Sequence, residues 1–188
     1  MAVQVRRGLL EQAHGLQVAG TYLGLDPSLT SFGVAVILPG RVLSWNWGPA
    51  LRGAERLDWY DAQVAELLGE HGGGAACLED YAHARANQAH QLGELGGVLR
   101  LALWRSKVRH WAVAPATLKK AITSKGVGPK SAMTLALYKR FGVEVVDDDQ
   151  ADAVGCALVA AHLSEGLPSL TKEQQAAMAK ARPMGVRR

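Results

Sequence analysis

Four carboxylates stand at the ends of apolar runs. Asp26 closes TYLGLD, Glu79 closes AACLE, and Asp149 and Asp152 open the stretch DQADAVGCALVAAHL. An acid at the edge of a buried element is costly to desolvate unless something offsets its charge. One such acid carries no message, but four from elements far apart in sequence suggest convergence on a divalent cation. Hard oxygen donors of this kind suit Mg²⁺ or Mn²⁺. Two such ions about 3.5–4 Å apart need roughly four carboxylates to hold them and balance their charge. One ion would activate a water for in-line attack on a phosphodiester and the other would stabilise the leaving oxygen, which is the chemistry of a nuclease.

Each acid also has a plainer reading. Asp26, before Pro27, could begin an Asx-turn. Glu79 or Asp80 could be merely the first polar residue after a buried strand, the reading preferred for Asp80. Among Asp147, Asp148 and Asp149, one is expected to cap a helix and answer its macrodipole. Asp152 is harder to dismiss, because the apolar AVGCALVAA follows it. Asp149 and Asp152 stand three apart and share one face of a first helical turn.

The elements that must position these acids alternate in type. TYLGL at 21–25, FGVAVIL at 32–38 and RVLSWNW at 41–47 read as three strands with short connections, the second connection being Pro39-Gly40. A helix follows over 53–70, with Leu57, Tyr60, Val64, Leu67 and Leu68 at helical intervals. AACLE at 75–79 is a fourth strand and HWAVA at 110–114 a fifth, separated by a helix over 86–105. Within that helix Gly93 and Gly97 leave a smooth strip where another backbone could approach. A short helix near 115–122, a further one ending near Arg140, and a last long one over 149–163 complete the order. The expectation is an α/β domain, a five-stranded mixed sheet flanked by helices.

Length and composition agree with one such domain. The chain has 188 residues, 48% hydrophobic and 20% charged, and no apolar run near the length that spans a bilayer. The N-terminus lacks a continuous apolar segment and does not read as a signal peptide. Cys77 and Cys156 lie in apolar stretches, as expected of two buried thiols in a reducing cytoplasm. The organisation expected is an N-terminal extension over 1–20, a nuclease domain over 21–167, and a basic tail over 168–188 that holds a frayed helix or is disordered.

The net charge is only +4, but its distribution is uneven. From Arg100 through Arg140 there are ten basic residues and no Asp or Glu. Such a block is the footprint expected for a polyanion, and beside a carboxylate cluster it favours nucleic acid. Tyr81 offers an aromatic face that could stack on an unpaired base or equally line the rim of the core.

The order GLDPSLTSFGVAV, then LEDYA, then DxxDA heading an Ala-rich helix resembles the RuvC-type Holliday junction resolvases of the RNase H-like superfamily. EDYAHARANQAHQLGELGGVLRLALW, with ATLKKAITSKG after it, is similar to their phage and prophage branch. The resemblance covers roughly 21–163 and implies an RNase H-like fold. Asp26, Glu79, Asp149 and Asp152 would then be the metal-binding, catalytic acids. The acidic run leaves the third ligand between Asp148 and Asp149, of which Asp149 is preferred. Lys119 or Lys120, and Lys130, fall where such enzymes place lysines near the scissile phosphate. Tyr81 lies near an aromatic that helps open the junction, and the helix over 86–105 corresponds to a dimer-forming helix. The resemblance thus implies a homodimer that cuts a four-way DNA junction by paired symmetric nicks, with Mg²⁺ as cofactor and Mn²⁺ as substitute.

Other readings stay open at this point. A broader branched-DNA nuclease, acting on forks and flaps as well, is one alternative. GLDPSLTSFGVAV is similar as well to the first phosphate motif of actin-like sugar kinases and chaperone ATPases, but no second Gly-rich motif follows. A DNA-binding module whose acids serve only as caps would share the same basic face.

Overall fold

Short connections dictate the first half of the sheet. In the computed structural model, which describes residues 6–7, 11–12, 16–80, 86–129 and 131–185, β3 (Tyr22–Asp26), β4 (Phe32–Leu38) and β5 (Arg41–Trp47) run as an antiparallel meander. The β4–β5 turn holds Gly40 at φ 73°, a left-handed conformation that glycine adopts without penalty. The second half is built by crossovers. Helix α1 (Gly53–His71) leads to β6 (Ala75–Glu79), and α2 (Ala86–Arg105) leads to β7 (Arg109–Val113). β6 lies parallel to β3, and β7 parallel to β6. The long strands therefore stand in the order β5-β4-β3-β6-β7.

These five strands are the ones expected from the sequence, within a residue of their predicted ends. Three two-residue strands extend them: β1 (Arg6–Arg7) and β2 (Glu11–Gln12) pair with β5, and β8 (Arg182–Pro183) pairs with β7. Among the described residues the sheet has eight strands rather than five. Pairs of residues carry no alternation, so such strands leave no trace in a sequence pattern.

Each face of the sheet buries its own core. Leu23, Leu25, Val34, Val36, Trp45, Trp47, Ala76 and Leu78 pack with α1 and α2. Tyr22, Ala35, Ile37, Val42, Ala75, Cys77 and Val113 face the other layer. That layer comprises α3 (Pro115–Thr123), α4 (Ser131–Phe141), α5 (Asp148–Glu165) and α6 (Lys172–Met178). Helix α5 lies between sheet and helices and is buried on nearly all sides, which accounts for its Ala-rich, non-amphipathic sequence. Small residues let it lie very near the sheet: a Cβ on Gly24 would fall 1.8 Å from the Ala153 carbonyl oxygen.

The two ends depart from expectation. Leu16 is buried, the Ala19 N–H donates to the Glu165 carboxylate at 2.9 Å, and Tyr22 Oη donates to the same group at 2.7 Å. The segment after 168 is folded through residue 185 rather than frayed or disordered. Thr171 and Gln174 form a capping box that starts α6. Leu170, Ala177, Met178 and Ala181 join the core, and fully buried Gln174 donates from Nε2 to the Ile122 carbonyl at 2.8 Å. A few well-spaced apolar residues outweigh the basic composition that suggested a free tail. Among the described residues, no helix is long and apolar enough to cross a membrane.

Candidate active site

Because β3, β6 and β7 are parallel, their C-terminal ends open on one edge of the sheet. Asp26 is the last residue of β3 and Glu79 the last of β6. Crevices outside the carboxyl ends of parallel strands are where α/β folds bind ligands. The N-terminus of α5 comes to the same edge. Asp26 pairs with Gly33 across the meander, and a Cβ on Gly33 would fall 2.1 Å from the Asp149 carbonyl oxygen. The first turn of α5 thus rests on the neighbour of Asp26.

The electrostatics follow from this convergence. Burial pushes the Asp26 carboxyl up from 3.8 to about 8, helped by the charges of Asp152, Asp149 and Asp147. Burial likewise pushes Glu79 up from 4.5 to about 9, with Asp26, Asp152 and Asp149 adding to the rise. Lys119 on α3 opposes it and favours the ionised form of Glu79. The four acids expected from the sequence therefore share one electrostatic environment, and Asp149 acts on both Asp26 and Glu79. Hard, mutually repelling oxygen donors on an open edge are a donor set that fits divalent cations. As the side chains stand, no three His, Cys, Asp or Glu among the described residues form a closed ligand cluster.

Asp147 is the capping acid that the sequence left undecided among three. It is the N-cap of α5, and one of its oxygens accepts the Gln150 N–H at 2.9 Å. Its other oxygen accepts from Asn46 Nδ2 at 2.5 Å. Asp80, beside Glu79, forms a 3.0 Å ion pair with Arg182 of β8. Sequence reasoning missed Asn46 and Arg182. The first sits in an alternating strand and the second in a segment read as a tail.

The basic residues do not form a single face. Lys119 acts on Glu79, whereas Lys120 lies on the exposed side of α3 and acts on Glu173 of α6. Arg140 donates to Gln174, Arg109 stands 5.8 Å over the Trp111 ring, and Arg105 is 4.0 Å from Asp61. Tyr81 and Lys130 lie outside the described residues.

No protein-family model matches the sequence. Individual proteins do. The crossover junction endodeoxyribonuclease RuvC of Parvibaculum lavamentivorans is 31% identical over 156 residues, covering 78% of this chain and 89% of the relative. The enzyme of the same name from Hyphomonas neptunium is 32% identical over 151 residues, covering 74% and 89%. These relatives are bacterial, and neither supports the phage branch suggested by the motif wording. Among solved structures, T. thermophilus RuvC in complex with Holliday junction substrate superposes with a TM-score of 0.67. It covers 88% of this chain and 99% of that one at 23% identity, a likeness of fold. With the RNase H-like architecture thus matched, and nearly a third of residues identical over most of two curated relatives, the chain belongs to the RuvC family of crossover junction endodeoxyribonucleases.

Proposed function

We propose that this protein is a structure-selective, metal-dependent endodeoxyribonuclease that resolves four-way DNA junctions by paired symmetric nicks. The observation that carries the reading is the mutual action of Asp26, Glu79, Asp149 and Asp152. Carboxylates from three separate elements repel one another on one sheet edge, with Lys119 the basic group acting on Glu79. Evolution of a stable fold alone gives no reason to assemble such repulsion.

In this reading the four acids hold Mg²⁺, with Mn²⁺ as a substitute. Two ions bound there supply the activated nucleophile and the charge stabilisation that phosphodiester hydrolysis requires. Asp26 and Glu79 present their oxygens from rigid strand ends, while Asp149 and Asp152 present theirs from one face of α5. Asp149 is favoured over Asp148 as the third acid because its charge bears on both strand-end carboxyls. Lys119 neutralises charge beside Glu79 and steadies the strand to be cut. Lys120, Lys130 and Tyr81 extend the DNA contact, the first two through phosphates and Tyr81 through stacking on a distorted base.

Two protomers are needed for paired nicks, each supplying one site to a nearly twofold substrate. The outer side of α2 supports this assembly: no atom of the described residues lies within 4 Å of a Cβ on Gly97, and Leu101 and Trp104 are 42% and 56% exposed. The compartment proposed is the cytoplasm, where branched DNA arises during recombination and repair.

The test is cleavage of end-labelled four-way junctions with and without Mg²⁺, beside linear duplex, Y-fork, flap and single strand. Paired, symmetric, Mg²⁺-dependent nicks confined to the junction are expected, and Asp26→Asn should abolish them while junction binding persists. Retained cutting by Asp26→Asn would overturn the site, and equal cutting of forks and flaps would make the enzyme a broader debranching nuclease.

A further inference from the structure

β5 has two unlike faces. Trp45 and Trp47 pack towards α1 and α2, while Val42 joins the core on the α5 side. The next two positions on that side by strand alternation, Ser44 and Asn46, are polar. Both reach the first turn of α5. Ser44 Oγ donates to Gln150 Oε1 at 3.0 Å, and both residues are buried. Asn46 Nδ2 donates to Asp147 Oδ2 at 2.5 Å, while Asp147 Oδ1 accepts the Gln150 N–H. One oxygen of Asp147 therefore caps the helix and the other ties it to the sheet.

The tie leaves a polar atom unserved. With Nδ2 committed to Asp147, Asn46 Oδ1 is buried without a hydrogen-bond partner among the described residues. A native fold rarely keeps such an orphan without a compensating use. The register suggests the use. Asn46 pairs with Gly33, and Gly33 pairs with Asp26, so the three form one row across β5, β4 and β3. The Asp149 backbone rests on the middle member of that row.

We infer that Asn46 is a positioning residue for the carboxylate site. Through Asp147 it sets the height and rotation of the first turn of α5, and so the placement of Asp149 and Asp152 relative to Asp26. A charge-assisted hydrogen bond is strong enough to hold that register. The cap itself does not need Asn46, since Asp147 satisfies the helix N-terminus alone. What Asn46 adds is a fixed relation between helix and sheet, of the kind that keeps a site within a fraction of an ångström of its working geometry. This inference rests on the nuclease reading.

Two variants separate the tether from the cap. Asn46→Ala removes the donor. Asp147→Ser keeps a favoured N-cap oxygen and loses the second oxygen that meets Asn46. Both should lower junction cleavage at saturating DNA by about 10- to 100-fold, the scale of a small misplacement of catalytic groups. Both should raise the Mg²⁺ concentration for half-maximal rate several-fold and leave metal-free junction binding within twofold. The double variant should be no worse than either single one. A second readout needs no cleavage: the rise in melting temperature on adding Mg²⁺ at pH 8 should fall below half of the wild-type rise. Unchanged cleavage, unchanged Mg²⁺ response and a lower metal-free melting temperature would reduce Asn46 to a packing residue and overturn the inference. If the wild-type chain makes no nick in a junction, the nuclease reading fails, and the Mg²⁺-dependent melting shift decides on Asn46 by itself.

Discussion

Gly33 lies directly beneath the backbone of Asp149, with no room for even one carbon between them: a Cβ there would sit 2.1 Å from the Asp149 carbonyl oxygen. The contact is backbone against backbone, so no side-chain rotation can relieve it. Gly33→Ala must therefore lift the start of α5 or push β4 away. The variant should fold with a stability loss of about 1–3 kcal/mol, as overpacked sites do. Its junction cleavage should fall on the order of 100-fold, because Asp149 and Asp152 move with the helix. Gly155→Ala is the control. Its Cβ would press at 3.1–3.2 Å on the side-chain ends of Met133, Ile122 and Leu118, on the side of α5 turned to α3 and α4, and leaves the contact with β4 alone. If cleavage simply tracked melting temperature across both variants, the positional argument would fail.

Acidity at the site makes a second prediction, with a definite sign. Asp26 and Glu79 are raised in the folded protein from ordinary carboxyl values to about 8 and about 9. Between pH 4 and pH 9 the folded state thus holds protons that the unfolded state has released, and stability must fall as pH rises through that window. Metal-free protein should melt progressively lower from pH 5 to pH 9, by roughly 2–4 °C for each kcal/mol lost in a chain of this size. Mg²⁺ should restore more at pH 8.5 than at pH 5.5, where it competes with protons. Asp26→Asn removes part of the repulsion and should flatten the metal-free profile. A melting temperature independent of pH in both proteins would contradict the clustering of the acids.

Much of this arrangement is legible in the sequence alone. Strand-end acids stand out because the apolar runs before Asp26 and Glu79 are short, dense and sharply terminated. The helix carrying Asp149 and Asp152 is equally plain from the apolar residues after them. The residues that fix these acids in space were not legible. Ser44 and Asn46 alternate with tryptophans, and an alternating strand reads as half solvated, whereas this one is covered by α5 on its polar side. Helix α6 was legible only as a frayed helix in the basic tail. Its seven residues are too few to show a period, and its signal was the Thr171–Gln174 capping box, a local hydrogen-bond pattern rather than a hydrophobic one.

The adjacent lysines of α3 should separate cleanly. Lys119 favours the ionised form of Glu79, and Lys120 faces Glu173 on α6. Lys119→Ala should lower single-turnover cleavage on the order of 100-fold, the cost of losing a preorganised charge at a reacting phosphate. It should also shift the rising limb of the rate against pH towards higher pH, because Glu79 loses the charge that favours its ionisation. Lys120→Ala should change the rate less than about threefold and act mainly on the salt dependence of binding. Equal losses from the two variants would mean that the lysines act only as diffuse positive charge.

The last prediction concerns the outer side of α2, where a glycine allows an unusually clean experiment. Among the described residues of its own protomer, nothing lies within 4 Å of a Cβ on Gly97. Gly97→Leu should therefore fold at least as well as the wild type, since leucine is the better helix former by up to about 1 kcal/mol. A loss of pairing with an unchanged melting temperature would then come from outside the protomer. If two copies pair through the strip bounded by Leu101 and Trp104, the added side chain keeps the helices apart and sedimentation should report a monomer at micromolar concentration. Junction cleavage should then change in kind as well as rate, from paired nicks to single uncoordinated ones, because the two sites no longer share one substrate. Asp26 and Glu79 are untouched by the change, so any single nicks that remain should keep their Mg²⁺ dependence. A Gly97→Leu protein that remains dimeric and cuts in pairs would move the dimer contact off this face of α2.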